Sequence, residues 1–176
     1  MISRHPGEGR YARIEREQRW LLNELPPNVT DERVIVDHYW TGTSLRLRMI
    51  QRGDEVVYKL CQKVRVAVDN PELVKITNIY LRSDEFHALS VTPSSILAKS
   101  RWSVVSNGVR YAVDEFKGRH TGLVLAEVEL GEGEPRALGP EFALAEVTNV
   151  NEYTGGWLAT ASAKALADVL SREVVA

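Results

Sequence analysis

Residues Ile14-Glu15-Arg16-Glu17-Gln18-Arg19-Trp20-Leu21-Leu22 decide the reading of this chain. In an extended backbone alternate side chains leave the same face, so Glu15, Glu17 and Arg19 project together while Ile14, Trp20 and Leu22 favour the other side. Neighbours on that face stand roughly 6.7 Å apart, where two bare carboxylates repel by about 2.5 kcal/mol at an effective dielectric of about 20. Water along a solvated strand edge relieves that cost. A hard divalent cation such as Mg2+ or Mn2+ relieves it directly, because carboxylate oxygens are its preferred ligands.

The pattern recurs in Gly122-Leu123-Val124-Leu125-Ala126-Glu127-Val128-Glu129-Leu130. Glu127 and Glu129 share one face, and Val124, Ala126, Val128 and Leu130 share the other, which is too apolar to stay in water. The acidic pair then points into whatever the opposite face lines. Cations alternate in the same way at Arg46 and Arg48, at Lys59 and Lys63, and at Lys99 and Arg101. A packed, dry interior would leave these ions unpaired, whereas an open lumen accommodates them.

The chain has 176 residues, 44% hydrophobic and 26% charged, which suits one domain with a proper core. A net charge of -2 supplies no basic field for nucleic acid or an anionic membrane, so any basic site is local. The single cysteine, Cys61, excludes an intramolecular disulfide framework and a cysteine-based zinc site. It reads as a small residue filling space, with thiolate character between Lys59 and Lys63 as the alternative. The four histidines show no ligand spacing, and His120 is expected on a solvent-exposed loop. No run of about 18 apolar residues is present for a spanning helix, and the first residues lack a signal-peptide core, so the cytoplasm is the expected compartment.

Along the chain, residues 1–9 read as a flexible leader and 10–176 as one domain. Strands are expected at about Tyr11 to Asn23, Val34 to Trp40, Leu45 to Met49, Val56 to Val66 and Leu73 to Leu81. Ser83-Asp84-Glu85 caps a short helix to about Leu89. Ile96 to Val105 and Val109 to Lys117 flank Asn107-Gly108, the pair that suits a type I′ hairpin turn. After the strand ending at Leu130, residues 131–140 form a loop and Ala143 to Val147 a possible short strand. Trp157 to about Ser171 is expected as one alanine-rich helix. The predicted fold is mainly β: a closed eight-stranded antiparallel barrel around a charged tunnel, with short helices and a C-terminal helix.

The N-terminal Glu15-Arg16-Glu17-Gln18-Arg19 is followed by Leu45-Arg46-Leu47-Arg48, Tyr58-Lys59-Leu60-Cys61-Gln62-Lys63 and Lys99-Ser100-Arg101. Then come Val113-Asp114-Glu115-Phe116, Gly122 to Leu130 and Glu146-Val147-Thr148. In this order and spacing the sequence resembles the CYTH domains, or triphosphate tunnel metalloenzymes, from about Arg13 to about Ala159.

The resemblance implies metal-assisted hydrolysis of a phosphoanhydride in a triphosphate-containing small molecule: inorganic triphosphate, then nucleoside or thiamine triphosphate. Glu15, Glu17, Asp114, Glu127 and Glu129 would hold Mg2+ or Mn2+ and carry catalysis, with Asp114 a ligand or water-orienting base. Arg19, Arg46, Arg48, Lys59, Lys63, Lys99 and Arg101 would bind the phosphates, arginine as a fork and lysine as a point charge. Glu146 and Tyr153 fall where the family's Glu-Val-Thr and following Tyr lie, either closing a tunnel mouth or docking a helix.

Two features depart from the family pattern. Its N-terminal motif ends in lysine, implicated in some members in activating water, and here Arg19 stands there; arginine keeps its proton and is no general base. Carboxylates found on the middle strand of many members are absent from Lys75-Ile76-Thr77-Asn78-Ile79-Tyr80. These departures keep open a module that binds polyphosphate or nucleotide without turnover, and adenylate cyclase activity is a third reading. Nucleic-acid and membrane partners are not expected, and a monomer or a homodimer both remain open.

Overall fold

The computed structural model describes residues 6–65, 72–131 and 133–173. Alternation in residues 14–22 becomes β1 (Arg13–Leu22), followed by β2 (Thr30–Tyr39), β3 (Leu45–Arg52), β4 (Glu55–Arg65) and β5 (Leu73–Leu81). After α1 (Ser83–Ser90) come β6 (Ser95–Ser106), β7 (Val109–Phe116), β8 (Val124–Leu130) and a short β9 (Ala143–Glu146). The turn expected at Asn107-Gly108 joins β6 to β7, with φ of 52° and 76° at the two residues. The expected turn Asp69-Asn70-Pro71 lies outside the described residues.

Eight strands close into a barrel in the order β5-β4-β3-β2-β6-β7-β8-β1, with β1 returning to β5, and the neighbouring pairs are antiparallel. β1 makes closure possible because its two edges do different work. One edge pairs with β8 from Arg16 to Leu22, while the other pairs first with β5 at Arg13 to Arg16 and then with β9 at Trp20 to Leu22. Between those two partners, the Glu17 amide donates to the Glu72 carbonyl at 3.2 Å and the Arg19 amide to Thr148 Oγ1 at 3.0 Å.

Two cores follow from the two strand faces. Outside the barrel, Trp20, Leu22, Tyr111, Val113, Val124, Ala126, Val128 and Leu130 form one cluster, with Ala137 and Phe142 packed over it. Trp20 meets Tyr111 edge-on at 5.5 Å between ring centroids. The second cluster forms the tunnel floor. On each of four strands the lumen face changes from ionic to apolar at the same end: Arg19 to Leu21, Glu127 to Leu125, Lys99 to Leu97 and Asp114 to Phe116. Tyr153, Leu158 and Leu166 complete that cluster.

The single helix expected from Trp157 onward is two, α2 (Gly155–Thr160) and α3 (Ala163–Glu173). Ala161 is extended (φ -67°, ψ 144°), and the Ser162 hydroxyl caps α3 by accepting from the Ala165 amide at 3.1 Å. Alanine composition sustains a helix anywhere along this segment; the break lets Leu158 and Leu166 both reach the floor. His120 also differs from expectation. It is buried in a 3-10 turn, its Nε2 2.7 Å from the Leu158 carbonyl oxygen, and Arg119 Nε donates to the Ala161 carbonyl at 3.0 Å. Together they satisfy carbonyls that the end of α2 leaves open.

Of the segment read as a leader, residues 1–5 lie outside the described residues. Gly7 is buried, and its amide donates to Gln62 Oε1 at 3.2 Å.

Candidate active site

The lumen encloses a cavity of about 480 Å3. β1 delivers Glu15, Glu17 and Arg19 to it, β3 delivers Arg46 and Arg48, and β4 delivers Lys59, Lys63 and Arg65. β6 contributes Lys99 and Arg101, and β8 contributes Glu127 and Glu129. Asp114, from β7, is fully buried beneath Lys99 and Arg101. A cleft of about 550 Å3 on the outer surface, beside Pro26, Asn107 and Arg110, contains none of these residues.

The charges are paired in a connected network. Arg101 donates to Asp114 through Nε and Nη2, both at 2.6 Å, and to Glu127 Oε2 at 2.5 Å. Lys99 Nζ also bonds Asp114. Arg19 Nε donates to Glu127 Oε1 at 2.8 Å, and Lys63 Nζ donates to both oxygens of Glu17 at 2.6 Å. Burial alone would raise the carboxyl pKa of Glu17, Asp114 and Glu127, but their cationic partners outweigh it and hold all three below the ordinary range. Burial, and then Arg101, pushes Lys99 down to about 8.

Glu15 and Glu129 stand apart from this network. Neither has an ion pair among the described residues, and Glu129 is exposed toward solvent. Burial, with the charges of Glu129 and Glu17, raises the carboxyl pKa of Glu15. Among the described residues no three His, Cys, Asp or Glu side chains converge on a metal-sized site as they stand. In donor chemistry Glu15, Glu17 and Glu129 fit a hard cation: they are oxygen-only ligands whose mutual repulsion such an ion relieves. Asp114 and Glu127, also read from the sequence as ligands, and Glu17 all hold guanidinium or ammonium partners that an entering cation would have to displace.

Arg65, Tyr39 and Thr148 line the cavity without having been among the sequence candidates, and Asp37, behind Arg48, was not among them either. Asp37, on β2, is fully buried and bonds Arg48 through both oxygens at 2.6 and 2.7 Å. Its signal was a lone acid in the β-branched and aromatic run Val34 to Trp40. Glu146 instead bonds Arg136 and Thr148, and Tyr153 belongs to the floor. The β5 wall presents Val74, Ile76 and Asn78, so the segment lacking carboxylates in sequence lacks them in the lumen too.

The closed antiparallel eight-stranded barrel is a fold that solved structures share. Among solved structures, the chain is similar to the crystal structure of the inorganic triphosphatase NE1496 (TM-score 0.57, 24% identity, over 84% of this chain and 95% of that one). A structure described as the hypothetical protein NE1496 gives a TM-score of 0.57 at 23% identity, over 84% of this chain and 99% of that one. The PH1819 protein from Pyrococcus horikoshii OT3 is similar over 68% of this chain and 79% of that one, with a TM-score of 0.50 and 17% identity. At these identities the likeness is one of fold. No family model matches the sequence, and no curated protein matches it.

Proposed function

We propose that this protein is a divalent-metal-dependent hydrolase that cleaves a phosphoanhydride of a triphosphate-containing substrate, inorganic triphosphate first, then nucleoside or thiamine triphosphate. The observation that carries this reading is the convergence of Arg46, Arg48, Lys59, Lys63, Lys99 and Arg101 on one cavity that Glu15 and Glu129 also line. A polyphosphate chain matches the cations, and Mg2+ or Mn2+ matches the carboxylates.

Glu15, Glu17 and Glu129 would hold the cation, which when bound supplies Lewis acidity toward phosphate oxygens and lowers the pKa of water. Arg46, Arg48 and Lys59 bind and orient the phosphates from the β3–β4 wall. Lys99 and Arg101, already fixed by Asp114, offer positive charge that needs no reorganisation as charge develops on the transferring group. Arg19 braces Glu127 and Glu17 and takes no proton.

The ion pairs that close Glu17, Asp114 and Glu127 favour a second reading, a binding module without turnover. Phosphate release from inorganic triphosphate, ATP and thiamine triphosphate, in Mg2+, Mn2+ or EDTA, separates the two. Metal-dependent release that Glu129→Gln abolishes is the hydrolase outcome. Triphosphate binding with no release from any substrate is the outcome for the module.

A further inference from the structure

Asp37 is a carboxylate in a place where a site for polyanions gains nothing from negative charge. β2 sets it opposite Arg48 on β3, and it is 0% exposed. Arg48 meets it as a planar fork, Nε at 2.6 Å and Nη2 at 2.7 Å. Arg46 is held differently. Its Nε lies 3.6 Å from Asp37 Oδ1, beyond hydrogen-bond reach, and that buried nitrogen has no hydrogen-bond partner. Arg46 Nη1 reaches Tyr39 Oη at 3.4 Å, with the guanidinium 5.9 Å from the Tyr39 ring centroid. Lys99 is a further cation whose charge acts on Asp37.

We propose that Asp37 is the positioning residue of a two-arginine phosphate clamp, locking Arg48 in one orientation and steering Arg46 beside it with an unused donor for a phosphate oxygen. This inference rests on the lumen being a triphosphate site. Its physical basis is that a long arginine side chain loses much rotamer freedom on binding an anion, and a bidentate partner removes that freedom beforehand. The same carboxylate repels an incoming polyphosphate. Geometry and charge therefore predict opposite signs when Asp37 is altered.

Titration calorimetry with inorganic triphosphate, on the whole protein in EDTA and well below its melting temperature, decides between them. Asp37→Asn keeps the shape and removes the charge. Positioning predicts binding weaker by about tenfold, whereas charge alone predicts tighter binding. Asp37→Glu keeps the charge and moves the carboxylate by one methylene; positioning predicts weaker binding by about threefold, and charge alone predicts the wild-type value. Equal or tighter binding by Asp37→Asn overturns the proposal, as does a fall in Tm with unchanged Kd. If Asp37→Asn does not fold, wild-type affinity in Asp37→Glu overturns it. Wild-type protein that binds no triphosphate sinks the reading of the lumen itself, and that result is visible before any variant is made.

Discussion

Glu17 and Glu129 stand directly opposite each other across the β1–β8 ladder, and both line the lumen. Like charges in that relationship destabilise a sheet, by about 0.2–1 kcal/mol for a cross-strand pair. Lys63 and Arg19 compensate Glu17 but leave Glu129 without an ion pair among the described residues. Glu129→Gln is expected to match or exceed the wild-type Tm in EDTA and to lose most of the rise produced by Mn2+. Thermal melts in both conditions check this; a full Mn2+ response in the variant would place the ion elsewhere.

Asp114 is the buried anion that neutralises Lys99 and Arg101. Asp114→Asn leaves the buried Lys99 facing an amide and Arg101 with Glu127 alone, and a loss of about 3–5 kcal/mol of stability is expected. Urea unfolding measures it. A loss under about 1 kcal/mol would mean that the network behaves like exposed ion pairs.

Lys99, with a pKa pushed down to about 8 from an ordinary value of 10.5, gives the alkaline limb of stability a definite sign. Between those values the unfolded chain carries the proton and the folded chain has released it, so stability rises with pH through that window. Lys99→Arg stays charged throughout and should make the rise shallower, leaving the share of Lys59, which burial also lowers. Urea midpoints from neutral to alkaline pH check the slope, and identical slopes in both proteins would refute the assignment.

On the acid side, Glu17, Asp37, Asp114 and Glu127 have folded pKa values below their ordinary ones. Their contribution is complete above the ordinary carboxylate values and disappears as pH falls through the folded ones. Glu15 is raised and acts oppositely, losing stability as pH climbs through its window. The balance favours acid unfolding, with a slope of about 1.4 kcal/mol per pH unit for each net proton taken up. Urea midpoints across the acid range should fall steeply. A flat limb would show that these carboxylates titrate as free groups.

Gly155 sits where α2 meets the barrel with no room for a side chain, since a Cβ there would lie 2.2 Å from Tyr39 Oη. Gly155→Ala must displace Tyr39, which accepts from Arg46. A cost of about 1–3 kcal/mol is expected from overpacking, together with weaker triphosphate binding. Melting and calorimetry read the two effects; an unchanged protein would mean that α2 shifts freely.

Much of the fold was legible because strand period is a local property. Alternation in Ile14 to Leu22 and Gly122 to Leu130 separates charged from apolar faces whatever the strands pair with, and Leu73 to Leu81 was delimited at the residues found. Asn107-Gly108 likewise carries its turn in its own backbone preferences. The broken helix at Ala161 and the burial of His120 were not legible. Each depends on where α2 meets the tunnel floor, while alanine content and a loop composition read the same with or without that floor.

Residue order alone determined which side chains share a face, and so which charges a closed barrel would gather. Only the tertiary structure decided which cation meets which anion. Lys63 reaches Glu17 from 46 residues away, Arg101 bridges Asp114 and Glu127, and Asp37 claims Arg48 rather than leaving it to solvent. Those pairings depend on the stagger of eight strands at closure, a property of the ring as a whole that no strand's own sequence contains.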